Sequence, residues 1–181
     1  MILLLAVCLL GSGAPEANDI VSFYASAGGS TSVGMLNRYT SQGLGGTLGF
    51  GLRPFSNSRD VELVAAAHYD RFDNVRRGMG NYAFLRFGTG VRLNLNAAKP
   101  NRMYLMLDIG PALVRVDEHS GFPPYRGRSR RTTNLYGAGG LGFELGSTRS
   151  VGVFMQAELV DILDTLFGDY RFVKLSLGLR L

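Results

Sequence analysis

The sequence predicts an all-β fold, an eight-stranded antiparallel up-and-down barrel, from two observations. The first is strict alternation at the end of the chain, where residues 174–181 read Lys-Leu-Ser-Leu-Gly-Leu-Arg-Leu. Successive side chains of a strand point to opposite faces, so this segment is a strand with one apolar and one polar face. The second is that the same pattern recurs upstream between connections that alternate in length, which is typical of a meander closed into a barrel.

Eight two-faced segments follow one another along the chain. The first is the least regular, and the eighth contains the terminal leucines. The predicted strands cover about residues 20–27, 44–53, 61–70, 85–95, 103–113, 135–145, 151–160 and 170–181. The connections at 56–59, 96–101 and 147–150 are short, whereas those at 28–43, 72–80, 117–131 and 163–169 are longer. With eight strands, both chain termini are expected at the rim that carries the short turns.

The first 17 residues are predicted to be a secretory signal peptide. Residues 1–10 form an apolar run too short to span a bilayer, and residues 11–17 are mostly small. The barrel domain is therefore predicted to be 18–181. Cys8, the only cysteine, falls in the signal peptide, so the mature chain is expected to have no disulfide and no thiolate metal site. No later segment has eighteen uninterrupted apolar residues, so a membrane protein of this sequence would cross the bilayer as strands.

The charged residues of the eight segments gather on the face opposite the leucines. Between them lie mostly Gly, Ala and Ser, which suit a narrow lumen better than a solvated surface. Five acidic and five basic residues are present, and equal numbers favour pairing in a confined interior, since an unpaired buried charge is costly. With one inward histidine, the predicted lumen charge network is Arg53, Glu62, His68, Asp70, Arg86, Arg92, Asp108, Glu144, Glu158, Lys174 and Arg180.

The opposite face carries essentially no charge, and its natural solvent is lipid. In this pattern the chain resembles the small eight-stranded outer-membrane β-barrels, similar to the OmpA transmembrane domain and OmpX. The resemblance covers nearly the whole mature chain and implies a transmembrane barrel in the outer membrane of a Gram-negative envelope. It also implies a monomer, recognised by the outer-membrane assembly machinery through its last strand. Members of this group usually end in an aromatic residue, whereas this chain ends in Leu181.

Aromatic residues near the predicted strand ends suggest an interfacial girdle. They are Tyr69, Tyr82, Phe84, Phe143, Phe167 and Tyr170.

These features favour a structural, envelope-interaction or adhesion protein with a polar, mostly plugged lumen. Three alternatives remain open: a narrow porin-like channel, a lipid A-modifying enzyme, and a soluble lipocalin-like barrel that binds a ligand in its interior. An enzyme would need His68 or His119 beside a nucleophile and a carboxylate, and neither histidine is placed so by the sequence. We predict no catalytic residues, no cofactor and no metal site, since neither metal-ligand spacing nor a phosphate-binding glycine motif is present.

The most concentrated charge lies at Arg126, Arg128, Arg130 and Arg131, in the predicted long loop 117–131. Nucleic acid is a poor partner for an exported barrel. On an outward-facing rim these guanidiniums would suit the phosphates of lipopolysaccharide or acidic glycans. A solvated loop without a specific partner is the alternative interpretation.

Overall fold

The computed structural model describes residues 21–34, 36–54, 60–74, 81–95, 101–119, 126–146, 151–163 and 169–181, of which 41, 74, 118, 119 and 126–129 are described by their backbone alone. Residues 1–17, assigned above to a signal peptide, and Phe167 lie outside these ranges. The strands are β1 Val21–Val33, β2 Thr40–Leu52, β3 Val61–Asn74, β4 Tyr82–Asn94, β5 Asn101–His119, β6 Arg126–Leu145, β7 Gly152–Leu163 and β8 Tyr170–Arg180. A 3-10 turn, Leu36–Arg38, follows β1.

The eight strands form one closed antiparallel barrel in sequence order, which confirms the predicted fold class. Closure comes from pairing of β1 with β8. At its end the backbone N–H of Phe23 donates to the carbonyl oxygen of Leu181 at 3.0 Å, and the N–H of Leu181 donates to that of Phe23 at 2.8 Å. The last residue of the chain therefore takes part in the seam. No helix in the described ranges is long and apolar enough to cross a membrane.

The register defines how steeply the strands lean. Starting at Val21 and stepping from each residue to the one directly opposite it on the next strand, the path returns to β1 at Thr31. The pairing is therefore shifted by ten residues along β1 in one circuit of the barrel. A shift of this size over eight strands corresponds to a tilt of about 40° from the barrel axis. The intermediate positions are Leu52, Leu63, Val91, Leu107, Gly139, Leu159 and Val173.

The strands are longer than predicted at the rim opposite the chain termini, here called the distal rim. β1 continues to Val33, β5 to His119, and β6 begins at Arg126 rather than near residue 135. The prediction of a long loop over 117–131 was therefore wrong, because most of that stretch forms a β5–β6 ladder in which Arg130 opposes Val116. The contrast between short and long connections largely disappears. The distal gaps 34–39, 75–81, 120–125 and 164–169 have six or seven residues, and those at the other rim have six to eight.

Alternation sorts the side chains as the sequence indicated over most of each strand. Leucines of β8 such as Leu175 and Leu177 are exposed on the outer surface, while Lys174, Ser176 and Arg180 are buried inside. Thirty large apolar side chains are exposed in the described part of the chain, and most of them line this outer face. An apolar surface of that extent needs an apolar environment.

The distal third of the lumen is apolar, contrary to the expectation of a polar interior throughout. We call this cluster the distal plug. Three phenylalanines pack together at its centre. Phe84 and Phe172 stack with ring centroids 5.7 Å apart, and Phe72 meets Phe172 edge to face at 5.1 Å. Its buried members are Leu36, Phe72, Phe84, Ala112, Val114, Tyr136, Ala138, Val160, Ile162 and Phe172.

The distal plug also changes the interpretation of the aromatic girdle. Phe84 is fully buried in the plug, and Tyr82 and Tyr170 pack against it from inside. Their assignment to the lipid interface was therefore wrong. Tyr69 is exposed on the outer face, as a girdle residue would be.

Candidate functional site

The buried charges lie on inward positions of the strands and form two layers across the lumen. Arg53 lies at the rim of the chain termini and is partly exposed. All other members of the predicted lumen charge network are buried. The layer nearer the distal rim contains His68, Asp70, Arg86, Asp108, Glu158 and Lys174. The layer nearer the termini contains Glu62, Arg92, Glu144 and Arg180.

Arg86 is the centre of the distal charge layer and is fully buried. Its Nη2 donates to Asp70 Oδ2 at 2.9 Å and its Nη1 donates to Glu158 Oε1 at 3.1 Å, so one guanidinium bridges two carboxylates. The ring of Tyr136 lies 5.0 Å from the guanidinium carbon. Lys174 Nζ, 2.9 Å from Asp70 Oδ1, supplies a second cation to the same carboxylate.

His68 is the centre of a hydrogen-bond network that joins five strands in the same layer. Its Nε2 lies 3.0 Å from Asp108 Oδ2, and its Nδ1 lies 3.1 Å from Thr47 Oγ1. Asp108 Oδ2 also accepts a hydrogen bond from the Tyr136 hydroxyl at 2.7 Å, and Thr47 Oγ1 accepts one from Lys174 Nζ at 3.4 Å. A glycine completes the arrangement, because a Cβ on Gly88 would clash with the Tyr136 hydroxyl and the Asp108 carboxylate.

The layer nearer the termini has two cations that share two carboxylates. Arg180 donates through Nη2 to Glu62 Oε1 at 2.6 Å and through Nη1 to Glu144 Oε2 at 3.1 Å. Arg92 pairs closely with Glu144 and lies 3.9 Å from Glu62 Oε2. Ser22 Oγ donates to Glu62 Oε1 at 2.6 Å.

Aromatic residues separate the two charge layers. The ring of Tyr104 lies 3.6 Å from the Arg92 guanidinium carbon, and Tyr24 meets Phe154 edge to face at 6.2 Å. Rings occupy the lumen here because small inward residues leave room, as Gly142 does beside Tyr104. Along its length the lumen is therefore filled by a charge layer, an aromatic layer, a second charge layer and the distal plug.

This arrangement neutralises charge rather than exposing it. Each buried cation of the two layers contacts at least one carboxylate, which offsets much of the desolvation cost of both ions. Within the described ranges no group of three or more His, Cys, Asp or Glu is placed to hold a metal ion.

The two histidines are not brought together. His68 lies in the distal charge layer, whereas His119 is the last residue of β5, where its backbone opposes Arg126. Thr47 and Tyr136, which complete the hydrogen-bond network of His68, were not identified from the sequence. Both occupy inward positions of their strands, so alternation alone contained the signal that they would face the lumen.

The basic residues at 126–131 lie on the outermost part of β6. Arg131 is exposed and stands directly opposite Arg115 of β5, and Arg130 is partly exposed. Arg126 and Arg128 are described by their backbone positions, opposite His119 and Glu118. The outer surface near the distal rim also carries Arg71 and Arg171, both about half exposed.

No protein-family model matches the chain, and no curated protein matches it in sequence. Among solved structures, it is similar to Neisserial surface protein A (NspA), with a TM-score of 0.68, 18% identity and coverage of 94% of this chain and 99% of that one. It is similar to Ail, the attachment invasion locus protein of Yersinia pestis, at a TM-score of 0.56 and 13% identity, covering 89% and 97% of the two chains. Ail in complex with the heparin analogue sucrose octasulfate matches at a TM-score of 0.51 and 15% identity, covering 89% and 99%.

A fourth structure is the N-terminal β-barrel domain of Pseudomonas aeruginosa OprF, with a TM-score of 0.50, 16% identity, and coverage of 90% and 98%. Sequence identities this low establish the fold alone. The chain has the fold of the small eight-stranded outer-membrane β-barrels, which confirms the resemblance predicted from the sequence.

Proposed function

We propose that the protein is an integral outer-membrane β-barrel with a closed lumen, and that it serves a structural, envelope-interaction or adhesion role. The observation that carries the proposal is the combination of an apolar outer surface with an interior in which charges neutralise one another. A soluble lipocalin-like barrel has the opposite arrangement, with an apolar binding cavity and a solvated exterior.

The height of the apolar surface supports a bilayer environment. On β5 the outward positions from Met103 to Leu113 carry no charge. Ten residue steps of about 3.4 Å, inclined by about 40°, give a height of about 26 Å. This agrees with the apolar band of about 25 Å that is typical of outer-membrane barrels.

Gel migration tests the membrane assignment directly. Closed membrane barrels resist unfolding by detergent without heating, so we expect the unheated protein to migrate differently from the boiled protein. Co-fractionation with outer membranes should accompany this behaviour. Identical migration of heated and unheated samples, with recovery in the soluble fraction, would favour the lipocalin-like alternative.

Conductance separates a plugged barrel from a narrow channel. An eight-stranded barrel encloses a space that side chains can fill, and here the distal plug and both charge layers occupy it. We therefore expect purified protein in planar bilayers to conduct little. Large and stable unitary currents would identify the ion-paired residues as the lining of a pore.

We also propose that the barrel is not an enzyme. Thr47, His68 and Asp108 form a hydroxyl–imidazole–carboxylate chain, but the Thr47 hydroxyl faces Lys174 within the buried layer. Nucleophilic catalysis needs room for a reacting carbonyl beside the hydroxyl. Incubation with lipid A should leave its acyl chains unchanged by mass spectrometry. Acyl loss that disappears in Thr47→Val would instead support the lipid A-modifying alternative.

The outer end of β6 is the proposed contact with anionic surfaces. Arg126, Arg128, Arg130 and Arg131 concentrate positive charge where the β5–β6 hairpin extends furthest. Ail, a structural neighbour, was solved with a polyanion, the heparin analogue sucrose octasulfate. We propose that this segment contacts lipopolysaccharide or acidic glycans, and that the contact weakens as salt is added.

The test replaces these four arginines with serine. Binding to immobilised lipopolysaccharide or heparin should fall, while heat-modifiable migration is retained. Arg38→Ser, which removes an exposed arginine at the same rim, is the control and should bind almost as the parent does. Unchanged binding by the fourfold variant would mean that the segment is solvated without a specific partner.

The last parts of the proposal concern insertion of the barrel into the membrane and its oligomeric state. β8, which closes the barrel, is the segment expected to engage the outer-membrane assembly machinery, together with Leu181 that follows it. Deleting residues 179–181 should reduce insertion. We expect the inserted protein to be a monomer by light scattering in detergent.

A further inference from the structure

Three arginines share one row of opposed residues on the outer face. Arg71 of β3 opposes Ala83 of β4, Ala83 opposes Arg115 of β5, and Arg115 opposes Arg131 of β6. Each follows the apolar outward positions of its strand, so all four residues point away from the lumen. Arg71 and Arg115 are separated by two strand spacings, about 10 Å, and the small side chain of Ala83 lies between them.

From this geometry we infer that the surface over Ala83, between Arg71 and Arg115, is a seat for the phosphate group of an anionic membrane lipid. The inference rests on the proposed function, because it requires a bilayer around the barrel. It names a partner at a position distinct from the outer end of β6.

The orientation of the two guanidiniums suits an added oxyanion. Arg115 Nε donates to Asp117 Oδ1 at 2.8 Å, and Arg71 Nε lies 3.8 Å from Asp73 Oδ1. Both carboxylates are two residues further toward the distal end of their strands and engage the Nε atoms. Among the described residues the Nη atoms of both arginines have no partner, so they can bind phosphate oxygens at the 2.7–2.9 Å typical of charge-assisted bonds.

The local charge also favours an anion. Arg131 takes part in no ion pair within the described residues, and it stands directly opposite Arg115. Like charges directly opposite each other on a sheet are unfavourable. Three guanidiniums against the two carboxylates leave a net charge of +1, which a lipid phosphate would neutralise.

The height of the seat matches a lipid headgroup. Because the strands lean, the row climbs about 3 Å per strand, so Arg115 lies about 6 Å further from the membrane centre than Arg71. The next outward residues toward the bilayer are Tyr69, Leu85 and Leu113. A phosphate over Ala83 would thus lie just beyond the apolar band, with its acyl chains against these side chains.

Native mass spectrometry of the full barrel in neutral detergent, with lipid A as the phosphate-bearing probe, tests the seat. All variants are made in a parent in which Arg126, Arg128 and Arg130 are replaced with serine, because the outer end of β6 is itself proposed to bind lipopolysaccharide. This parent should retain lipid A, and adding Arg71→Ser/Arg115→Ser should lower the retained fraction by about tenfold. Ala83→Leu fills the seat and leaves every charge in place, so it should also lose lipid A. Ala67→Leu makes the same change of size lower on the outer face and should retain it.

The possible results separate the inference from the proposed function. Every variant is first checked for heat-modifiable migration. A parent that fails this check would overturn both the lipid seat and the proposed membrane barrel. If the parent is heat-modifiable but Ala83→Leu and the double arginine variant retain lipid A as the parent does, the seat is refuted and the barrel assignment stands. Displacement of lipid A by millimolar inorganic phosphate would also refute a lipid seat, because it would mean that the free ion is the ligand.

Discussion

Replacing Arg86 with methionine tests whether the lumen is closed. The substitution keeps a long side chain against Tyr136 but removes the bonds to Asp70 and Glu158. Asp70 would keep Lys174 at 2.9 Å, whereas among the described residues Glu158 would keep one side-chain hydrogen bond, from Gln156 at 3.5 Å. One buried carboxylate therefore stays paired and one loses its cation.

Leaving a buried charge uncompensated costs about 3–5 kcal/mol, so Arg86→Met should destabilise the barrel by about that amount. The double variant Arg86→Met/Glu158→Gln removes the orphan charge and should recover much of the loss. Arg171→Met is the matched control, because Arg171 pairs with Asp161 on the exposed surface, where such pairs contribute about 1 kcal/mol or less.

The assay is equilibrium unfolding by guanidinium chloride in phosphatidylcholine vesicles. Far-UV circular dichroism is the suitable signal, since the chain has no tryptophan. If Arg86→Met lost no more stability than Arg171→Met, water in the lumen would be solvating Glu158. That result would refute the closed lumen and favour a hydrated channel.

Three further substitutions are measured in the same unfolding assay. Leu107→Arg places a charge at a position that is 66% exposed near the middle of the apolar band, and should cost about 2–4 kcal/mol. Phe84→Ala removes a ring that packs against both Phe72 and Phe172 and should cost about 3–5 kcal/mol through the cavity it leaves. Gly88→Ala forces its Cβ into the Asp108 hydrogen-bond network and should cost about 1–3 kcal/mol. A loss below about 1 kcal/mol in any of the three would contradict the contact on which it rests.

Alternation made the barrel predictable from sequence. A period of two assigns each strand residue to a face without knowledge of its partners, and the eight segments recurred often enough to imply closure. The ion pairs and hydrogen bonds between buried side chains were harder to predict from the sequence. Arg86 reaches Asp70 on the adjacent strand β3, 16 residues away, and Glu158 on β7, 72 residues away, and the second contact crosses the lumen between strands that are not neighbours. The register shift between Thr40 and Gly43, at the distal end of the β2–β3 pair, likewise has no clear sequence signature.

Strand ends at the distal rim were missed because their composition resembles a loop. Residues 126–134 are rich in arginine, serine and threonine, and they lack the apolar face that identified the membrane-spanning segments. The segment pairs with β5 through its backbone, a requirement that any residue except proline can meet. Hydrophobic alternation therefore reports the part of a strand in contact with lipid rather than the whole strand.

The same limit explains why the distal plug was not anticipated. The sequence prediction assigned polar residues to the inward face along the whole length of each strand. In β3, however, the inward residue changes from Asp70 to Phe72 toward the distal rim, and the outward residue changes from Tyr69 to Arg71. Beyond the bilayer the outer face meets water and the interior must supply its own apolar core, so both preferences reverse. β8 shows the same reversal, with Arg171 outside and Phe172 inside. In the proposed transmembrane barrel, such a reversal within one alternating strand marks where that strand leaves the membrane, and it places the boundary at the level of Arg71 and Arg171.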